Sequence, residues 1–301
     1  MSDPHSGQAG SLSTLVVREL IAELTETFKL KGVPEPRRAA HDVLTGILDQ
    51  PRSWGIRNAD NAIDVCVAEE ARNAAQMIIA GAPLSYAVNR AAFRHMTLSV
   101  DQRVLIPRPE TEVLVDVVLN HFRATFRMDW GVAIDIGTGS GAIALALASE
   151  GKFSRVIATD SSLDALAVAK ANRSWHSSSL NCPVEFRSGS LINPVRDVKA
   201  NLLVSNPPYI AFDEIDQLPA GVRLWEPPTA LLSASNGLAA TAAIVHEGAA
   251  LLNKGGFLAL EVDSRRASLV AEMVMAAGSY IDVRVALDLS GRERFVVASR
   301  A

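Results

Sequence analysis

Cysteine is scarce in this chain of 301 residues: Cys66 and Cys182 are its only two, far apart and without metal-ligand spacing. That excludes a disulfide-stapled scaffold and a clustered thiolate centre, and leaves two ordinary reduced thiols. His41, His95, His121, His176 and His246 are scattered without ligand spacing, so no metal site is expected. No apolar run is long enough to cross a bilayer. The first residues, MSDPHSGQAGS, have neither the basic start nor the apolar stretch of a secretory signal; they read as a frayed terminus, and a cytoplasmic location is expected. Surplus positive charge is also missing. With 29 Lys and Arg against 33 Asp and Glu the net charge is -4, so no whole-protein field draws the chain onto nucleic acid, and direct nucleic-acid binding is not expected. Internal repeats and low-complexity segments are absent as well.

What is present suits a compact enzyme. A hydrophobic share of 49% with only 21% charged residues can fill a sizeable core, and the length suggests a catalytic domain plus a smaller accessory one. Residues 12–80 are Ala-rich and helical in pattern, broken by Pro34, Pro36, Pro51 and Gly55, which predicts a small helical bundle. Residues 84–106 alternate short apolar stretches around Tyr86, Phe93, Leu98, Val100 and Val104, which predicts a β-hairpin acting as a connector. Beyond Pro107 strands and helices alternate, the mark of a parallel sheet with crossover helices on both faces. Strands are predicted over 132–135, 155–159, 184–187, 201–205, 257–261, 281–287 and 294–299, and helices over 142–149, 163–173, 238–252 and 267–277. The link DLSGRE is too short for a crossover helix, so the last two strands should pair antiparallel at one side. The expected division is a helical domain at 1–83, a connector at 84–107 and an α/β domain at 108–301: a seven-stranded, Rossmann-like class I S-adenosylmethionine-dependent methyltransferase plan.

The segment VAIDIGTGSGAIALALA runs a buried strand into Asp135, then Gly137, Thr138, Gly139, Ser140 and Gly141, then an apolar helix. Such glycines let backbone approach a ligand closely, although they also satisfy a loose dinucleotide fingerprint. Two carboxylates favour a sulfonium cofactor. Asp135 stands where the cationic methionine end is expected and where a pyrophosphate would be repelled. Asp160 closes the next strand, RVIATD, where a carboxylate can accept both ribose hydroxyls; helix capping is its other reading, which Ser161 or Ser162 can equally fill. The third strand ends in FRSGSL, with Ser190 where methyltransferases of this type often place an acidic residue for the adenine amino group. Backbone groups and Leu191 are left to hold the adenine.

After the apolar strand NLLVS come Asn206, Pro207, Pro208 and Tyr209. Neither proline has an N–H, so the loop is a rigid, acceptor-rich wall. A planar NH2 group has two donors, which the Asn206 side-chain oxygen and the Pro207 carbonyl can take while Tyr209 stacks on the plane. An amide nitrogen is a poor nucleophile whose lone pair is delocalised, so proximity and preorganisation must supply the rate. Asn206, Pro207 and Tyr209 are thus the candidate catalytic residues, and Asn206 also borders the cofactor.

With these residues in place, the chain resembles the HemK/PrmC family of protein-(glutamine-N5) methyltransferases that modify peptide chain release factors. VLIPRPETEVLVD looks like that family's linker, VRLWEPPTALLSASNGL like its acceptor-side segment, and GGFLALEVD and DLSGRERFVVA like its closing strands, so the likeness covers residues 81–300. Asn89 stands where the family usually has glycine, and EVDSRR and Ser190 also depart from its pattern. The resemblance implies S-adenosylmethionine as cofactor, the glutamine of the Gly-Gly-Gln loop of class 1 release factors as substrate, and a release-factor contact by the helical N-terminal region. Arg108, Pro109, Glu110 and Thr111 stand where the connector meets the sheet: either Arg108 or Glu110 closes over the cofactor or acceptor, or the group pins the two domains through an ion pair and a rigid Pro turn. Three other readings compete: an adenine-N6 or guanine-N2 nucleic-acid methyltransferase using the same loop on an exocyclic amine, a catalytically silent adaptor, and a nicotinamide-dependent oxidoreductase.

Overall fold

The computed structural model describes residues 15–125 and 128–301, so the polar start read as frayed lies outside the described residues. The chain divides into two compact units, Met1–Val88 and Asn89–Ala301.

The first unit holds α1 (Val17–Leu30), α2 (Pro36–Ile47), α3 (Trp54–Arg57), α4 (Val65–Ile79) and α5 (Leu84–Ala87). Val17, Leu20, Ile21, Leu24 and Phe28 recur at helical spacing and form the buried face of α1. They share one core with Val43 and Leu44 of α2 and with Ala68, Ala71, Ala74 and Ala75 of α4, whose small side chains let the helices approach closely. Pro36 opens α2, and the Asp64 carboxylate caps α4 by accepting from Cys66 N–H at 2.7 Å. The hairpin expected over 84–106 is shorter than the alternation suggested. Pro83 presets the backbone for a single turn instead, its carbonyl accepting from the N–H of both Tyr86 and Ala87 at 3.1 Å to close α5.

The second unit begins with the hairpin proper, β1 (Arg90–Phe93) and β2 (Met96–Ser99), followed by α6 (Pro109–Thr125), β3 (Val132–Ile136), α7 (Ala142–Glu150), β4 (Arg155–Asp160), α8 (Leu163–Trp175), β5 (Val184–Ser188) and β6 (Ala200–Ser205). Three short helices, α9 (Ala220–Arg223), α10 (Pro228–Leu231) and α11 (Ala234–Gly237), lead to α12 (Ala239–Gly248), β7 (Leu252–Glu261), α13 (Ala267–Ala276), β8 (Tyr280–Leu287) and β9 (Glu293–Arg300). The seven-stranded sheet has the order β5-β4-β3-β6-β7-β9-β8. β9 runs antiparallel to both its neighbours while the other pairings are parallel, which is the terminal reversal expected from the short DLSGRE link.

Two-sided burial explains the near-continuous apolar strands. Leu202 and Val204 of β6 join one core with α6 and α7, whereas Leu203 joins the opposite core with α12 and α13; Phe257 and Leu258 of β7 divide the same way. Two boundaries differ from the expected ones. The helix predicted over 238–252 stops at Gly248, which has no room for a Cβ against the Leu203 side chain, and β7 already begins at Leu252, paired with Ala200. The stretch after Arg108, read as a joint, is the long helix α6 with Pro109 at its first position, where a missing N–H is harmless.

The hairpin is fastened to this second unit. Arg94 grips Glu150 of α7 through Nε and Nη2 at 2.5 and 2.6 Å and Asp116 of α6 at 2.8 Å. The buried Asn172 of α8 accepts from Ser99 N–H at 2.7 Å and donates to the carbonyls of Ser99 and Ser140. One amide thereby ties hairpin, helix and glycine loop together.

Candidate active site

β3 lies between β4 and β6, the chain having crossed in opposite directions on either side of it. At such a switch point a crevice opens beyond the carboxyl ends of the strands. The glycine loop fills its floor. Gly137, Gly139 and Gly141 have φ of 73°, 54° and 86°, the left-handed region that glycine adopts without strain. A Cβ on Gly137 or Gly139 would meet nothing within 4 Å, because both face the open crevice; on Gly141 it would come 3.3 Å from Ala169, so the third glycine serves packing of α7 on α8.

The loop's amides are largely committed inside the protein. Gly137 and Thr138 both donate to the Thr159 carbonyl at 2.9 Å, Gly141 donates to the Thr138 carbonyl at 2.8 Å, and Gly139 donates to Asp160 Oδ2 at 2.9 Å. Gly137, Thr138, Gly139 and Gly141 therefore offer no free N–H to a pyrophosphate. Asp160 Oδ1 takes Ser162 N–H at 2.9 Å, while Ser162, not Asp160, caps α8 by accepting from Ala165 N–H at 3.1 Å. Each Asp160 oxygen keeps lone-pair capacity toward the crevice it lines. Leu191, at φ 49°, lines the same crevice with Ser190.

Asp135 is placed differently from expectation. Its side chain is fully buried beneath the loop, does not line the crevice, and accepts from the Thr138 hydroxyl at 2.6 Å. Burial pushes its carboxyl up to about 7. Thr138 and Ser140, both buried, line an adjoining recess that shares Leu105, Gly137, Gly139 and Asn206 with the main crevice. Asn206 therefore stands at the junction.

The opposite lip grows from the end of β6. Ser205 Oγ donates to the Ile136 carbonyl at 2.7 Å, locking the ends of β6 and β3 together, so Asn206 emerges beside the glycine loop. Pro208 lines the crevice with it, while Pro207 is buried and no donor among the described residues reaches its carbonyl. The loop is held from behind: Ile210 N–H donates to the Leu231 carbonyl at 3.0 Å, and Ser233 N–H to the Ile210 carbonyl at 2.9 Å. Gly237, at φ 78°, abuts the Tyr209 carbonyl so closely that any Cβ would overlap it. Tyr209 itself is only partly exposed, and burial pushes its phenol up to about 12, with Glu261 reinforcing and Arg294 opposing the shift.

Two partners of this lip, Glu226 and Glu261, have no individual reading in the sequence, and Thr111 is expected there only as part of the joint before the sheet. Asn206 Nδ2 donates to Thr111 Oγ1 at 3.1 Å, and the Thr111 hydroxyl donates to Glu261 Oε2 at 2.8 Å, both Thr111 and Glu261 being buried. Arg108 Nη2 donates to Glu226 Oε1 at 2.5 Å, so its ion pair lies within this unit, against the acceptor-side segment. Burial raises both Glu261, to about 7, and Glu226. The resemblance drew attention to PRPETE and LWEPP as segments; the only available sign for individual residues was acidic side chains inside apolar context. Glu110 enters as a nearby negative charge that raises Glu261 further. Among the described residues no group of three or more His, Cys, Asp or Glu could hold a metal, and no helix is long and apolar enough to cross a membrane.

Sheet order, the reversed β9 and the loop at the switch point define the class I fold of S-adenosylmethionine-dependent methyltransferases, the cofactor that names the class. A solved structure of the hMettl16 catalytic domain in complex with MAT2A 3'UTR hairpin 6 superposes with a TM-score of 0.51 at 15% identity, covering 79% of this chain and 82% of that one, a likeness of fold. Residues 111–221 match the family model for the methyltransferase small domain. The release factor glutamine methyltransferase of Moorella thermoacetica is 35% identical over 290 residues, covering 95% of this chain and 99% of that relative. Its counterpart in Deinococcus radiodurans is 35% identical over 285 residues with the same coverage. The chain is a methyltransferase and belongs to the release factor glutamine methyltransferase family.

Proposed function

We propose that the chain transfers the methyl group of S-adenosylmethionine to the side-chain amide nitrogen (N5) of the glutamine in the Gly-Gly-Gln loop of class 1 peptide chain release factors. The observation that carries this reading is that Asn206 and Pro208 line the same crevice as Gly137, Gly139 and Asp160. A methyl acceptor and a methyl donor need that shared space.

The residues fit the donor. Gly137 and Gly139 leave room for its methionine portion, Asp160 accepts from the ribose hydroxyls, and Leu191 with neighbouring backbone packs the adenine where Ser190 replaces an acidic contact. Asp135 works from beneath, bracing the loop through Thr138 with Ser140 alongside. The cofactor supplies an electrophilic methyl carbon; the protein supplies position. Asn206 Oδ1 and the Pro207 carbonyl accept the two N–H bonds of the substrate amide, and Tyr209 packs on its plane. Holding both N–H groups directs the nitrogen toward the methyl carbon and keeps water from competing, the contribution expected of proximity and preorganised dipoles. The proton displaced from nitrogen leaves after transfer.

The domain assignment extends this reading. A helical N-terminal domain recognises the release factor, and the chain works in the cytoplasm, where translation factors are found. A nucleic-acid amino group fits the same acceptors, but the net charge of -4 offers no general attraction to phosphate, and the relatives' names favour a protein substrate. The test mixes purified protein and methyl-labelled cofactor with a release factor carrying Gln or Asn in its Gly-Gly-Gln loop. Label is expected on the Gln form alone; equal labelling of both forms, or label on nucleic acid instead, overturns the proposal.

A further inference from the structure

We infer that Thr111 and Glu261 are positioning residues that fix which end of the Asn206 carboxamide faces the acceptor nitrogen. This rests on the amide-methylation reading above and adds two residues to it.

An asparagine side chain has a donor end and an acceptor end that differ little in shape, so its orientation must be imposed by partners. Only the oxygen end can accept from a substrate N–H. Thr111 has a single hydroxyl proton and lies between Asn206 and Glu261, at 3.1 and 2.8 Å. An ionised carboxylate accepts only, so the hydroxyl proton points to Glu261 Oε2. The Thr111 oxygen then offers lone pairs to Asn206 and can be faced only by Nδ2. Oδ1 is thereby turned to the opposite side.

Reversing the amide would oppose two acceptors, or force Thr111 to turn its proton away and strand a carboxylate that is 1% exposed. An unsatisfied buried charged acceptor is among the more expensive defects a fold can carry. The relay is anchored in regular elements: Thr111 is in the first turn of α6 and Glu261 is the last residue of β7, the neighbour of β6. Burial lifts the Glu261 carboxyl to about 7 against the opposing pull of the Thr111 hydrogen bond, Arg294 and Arg108, so the relay runs in this direction above about pH 7, where Glu261 is ionised and where the test is made.

The test compares Thr111→Val, nearly isosteric but without the hydroxyl, with Thr111→Ser, which keeps it. Three quantities are read: transfer to a Gly-Gly-Gln release factor, the cofactor Kd by calorimetry, and the side-chain amide NMR signals of Asn206, assigned by their loss in Asn206→Asp. Thr111→Val is expected to lower kcat about 10- to 100-fold, as misorientation of a reacting group does, and to shift the Asn206 amide signals, with the cofactor Kd within about twofold. Thr111→Ser should recover most of the lost rate, and Thr111→Ala, which places no steric demand on the site, should behave as Val does. A Val variant with wild-type kcat, unmoved amide signals, or a parallel loss of cofactor binding overturns the inference. Because the amide signals are read without substrate, they test the orientation even if wild-type protein methylates no release factor, a result that would sink the functional reading instead.

Discussion

The lip of the crevice assigned to the cofactor and the lip assigned to the acceptor satisfy their polar groups over very different sequence distances. On the cofactor side Asp160 takes the N–H groups of Gly139, 21 residues away, and Ser162, two residues away, and the glycine loop closes on Thr138 and Thr159. On the acceptor side Asn206 reaches Thr111 across 95 residues, Thr111 reaches Glu261 across 150, and Arg108 reaches Glu226 across 118. A cofactor common to a whole class can be held by one strand-loop-helix unit and the next strand end. Presenting one amide nitrogen to one carbon calls for side chains brought in from several elements.

If the two lips are functionally separate, substitutions should split binding from rate. The largest effect on the cofactor lip is expected at Asp160. Asp160→Ala removes two hydrogen bonds to a charged acceptor, about 3 kcal/mol together, and should weaken the cofactor roughly 100-fold by calorimetry. Rate at saturating cofactor should change far less; a collapse of kcat with unaltered affinity would erase the distinction between the lips.

A smaller effect sharpens the acceptor side. Glu261 is pushed up to about 7 from its ordinary 4.5, chiefly by burial. The fold therefore favours its neutral form, a contribution fully present below the unfolded value and lost as pH rises from about 4.5 through about 7. Glu261→Gln removes that loss. The melting temperature of the Gln variant relative to wild type should rise by roughly 5 °C between about pH 5 and pH 8, while Asp135, shifted in the same direction, cancels in the difference. A flat difference would mean that Glu261 titrates normally.

The same contrast explains what could be read in the chain. The glycine loop, Asp160 and NPPY are contiguous or sit at strand ends, so local pattern places them, and the apolar runs mark the strands closely except at the start of β7, which lies at Leu252 rather than Phe257. Helix α6 was missed because Pro109 reads as a breaker unless its place in the first turn is known. The helix expected over 238–252 overruns the start of β7, because that start is fixed by the pairing of Leu252 with Ala200, a residue of another strand. Asp135 was expected in the crevice, yet the pleat turns its side chain under the loop toward Thr138. Thr111 reads only as part of a joint, and Glu226 and Glu261 only as acidic side chains in apolar context. Each matters through a partner about a hundred residues away or more, and only the folded sheet brings them together.

The claim at the centre is that the end of β6 acts on the acceptor and the glycine loop on the cofactor. Its most direct measurement is Asn206→Ala assayed for both. Loss of one preorganised donor or acceptor at a reacting centre typically costs about 10²- to 10³-fold in rate, so transfer to a Gly-Gly-Gln release factor should fall by that much with the cofactor Kd within about threefold of wild type. A variant that loses cofactor affinity in proportion to its rate would contradict the account and place Asn206 on the cofactor instead.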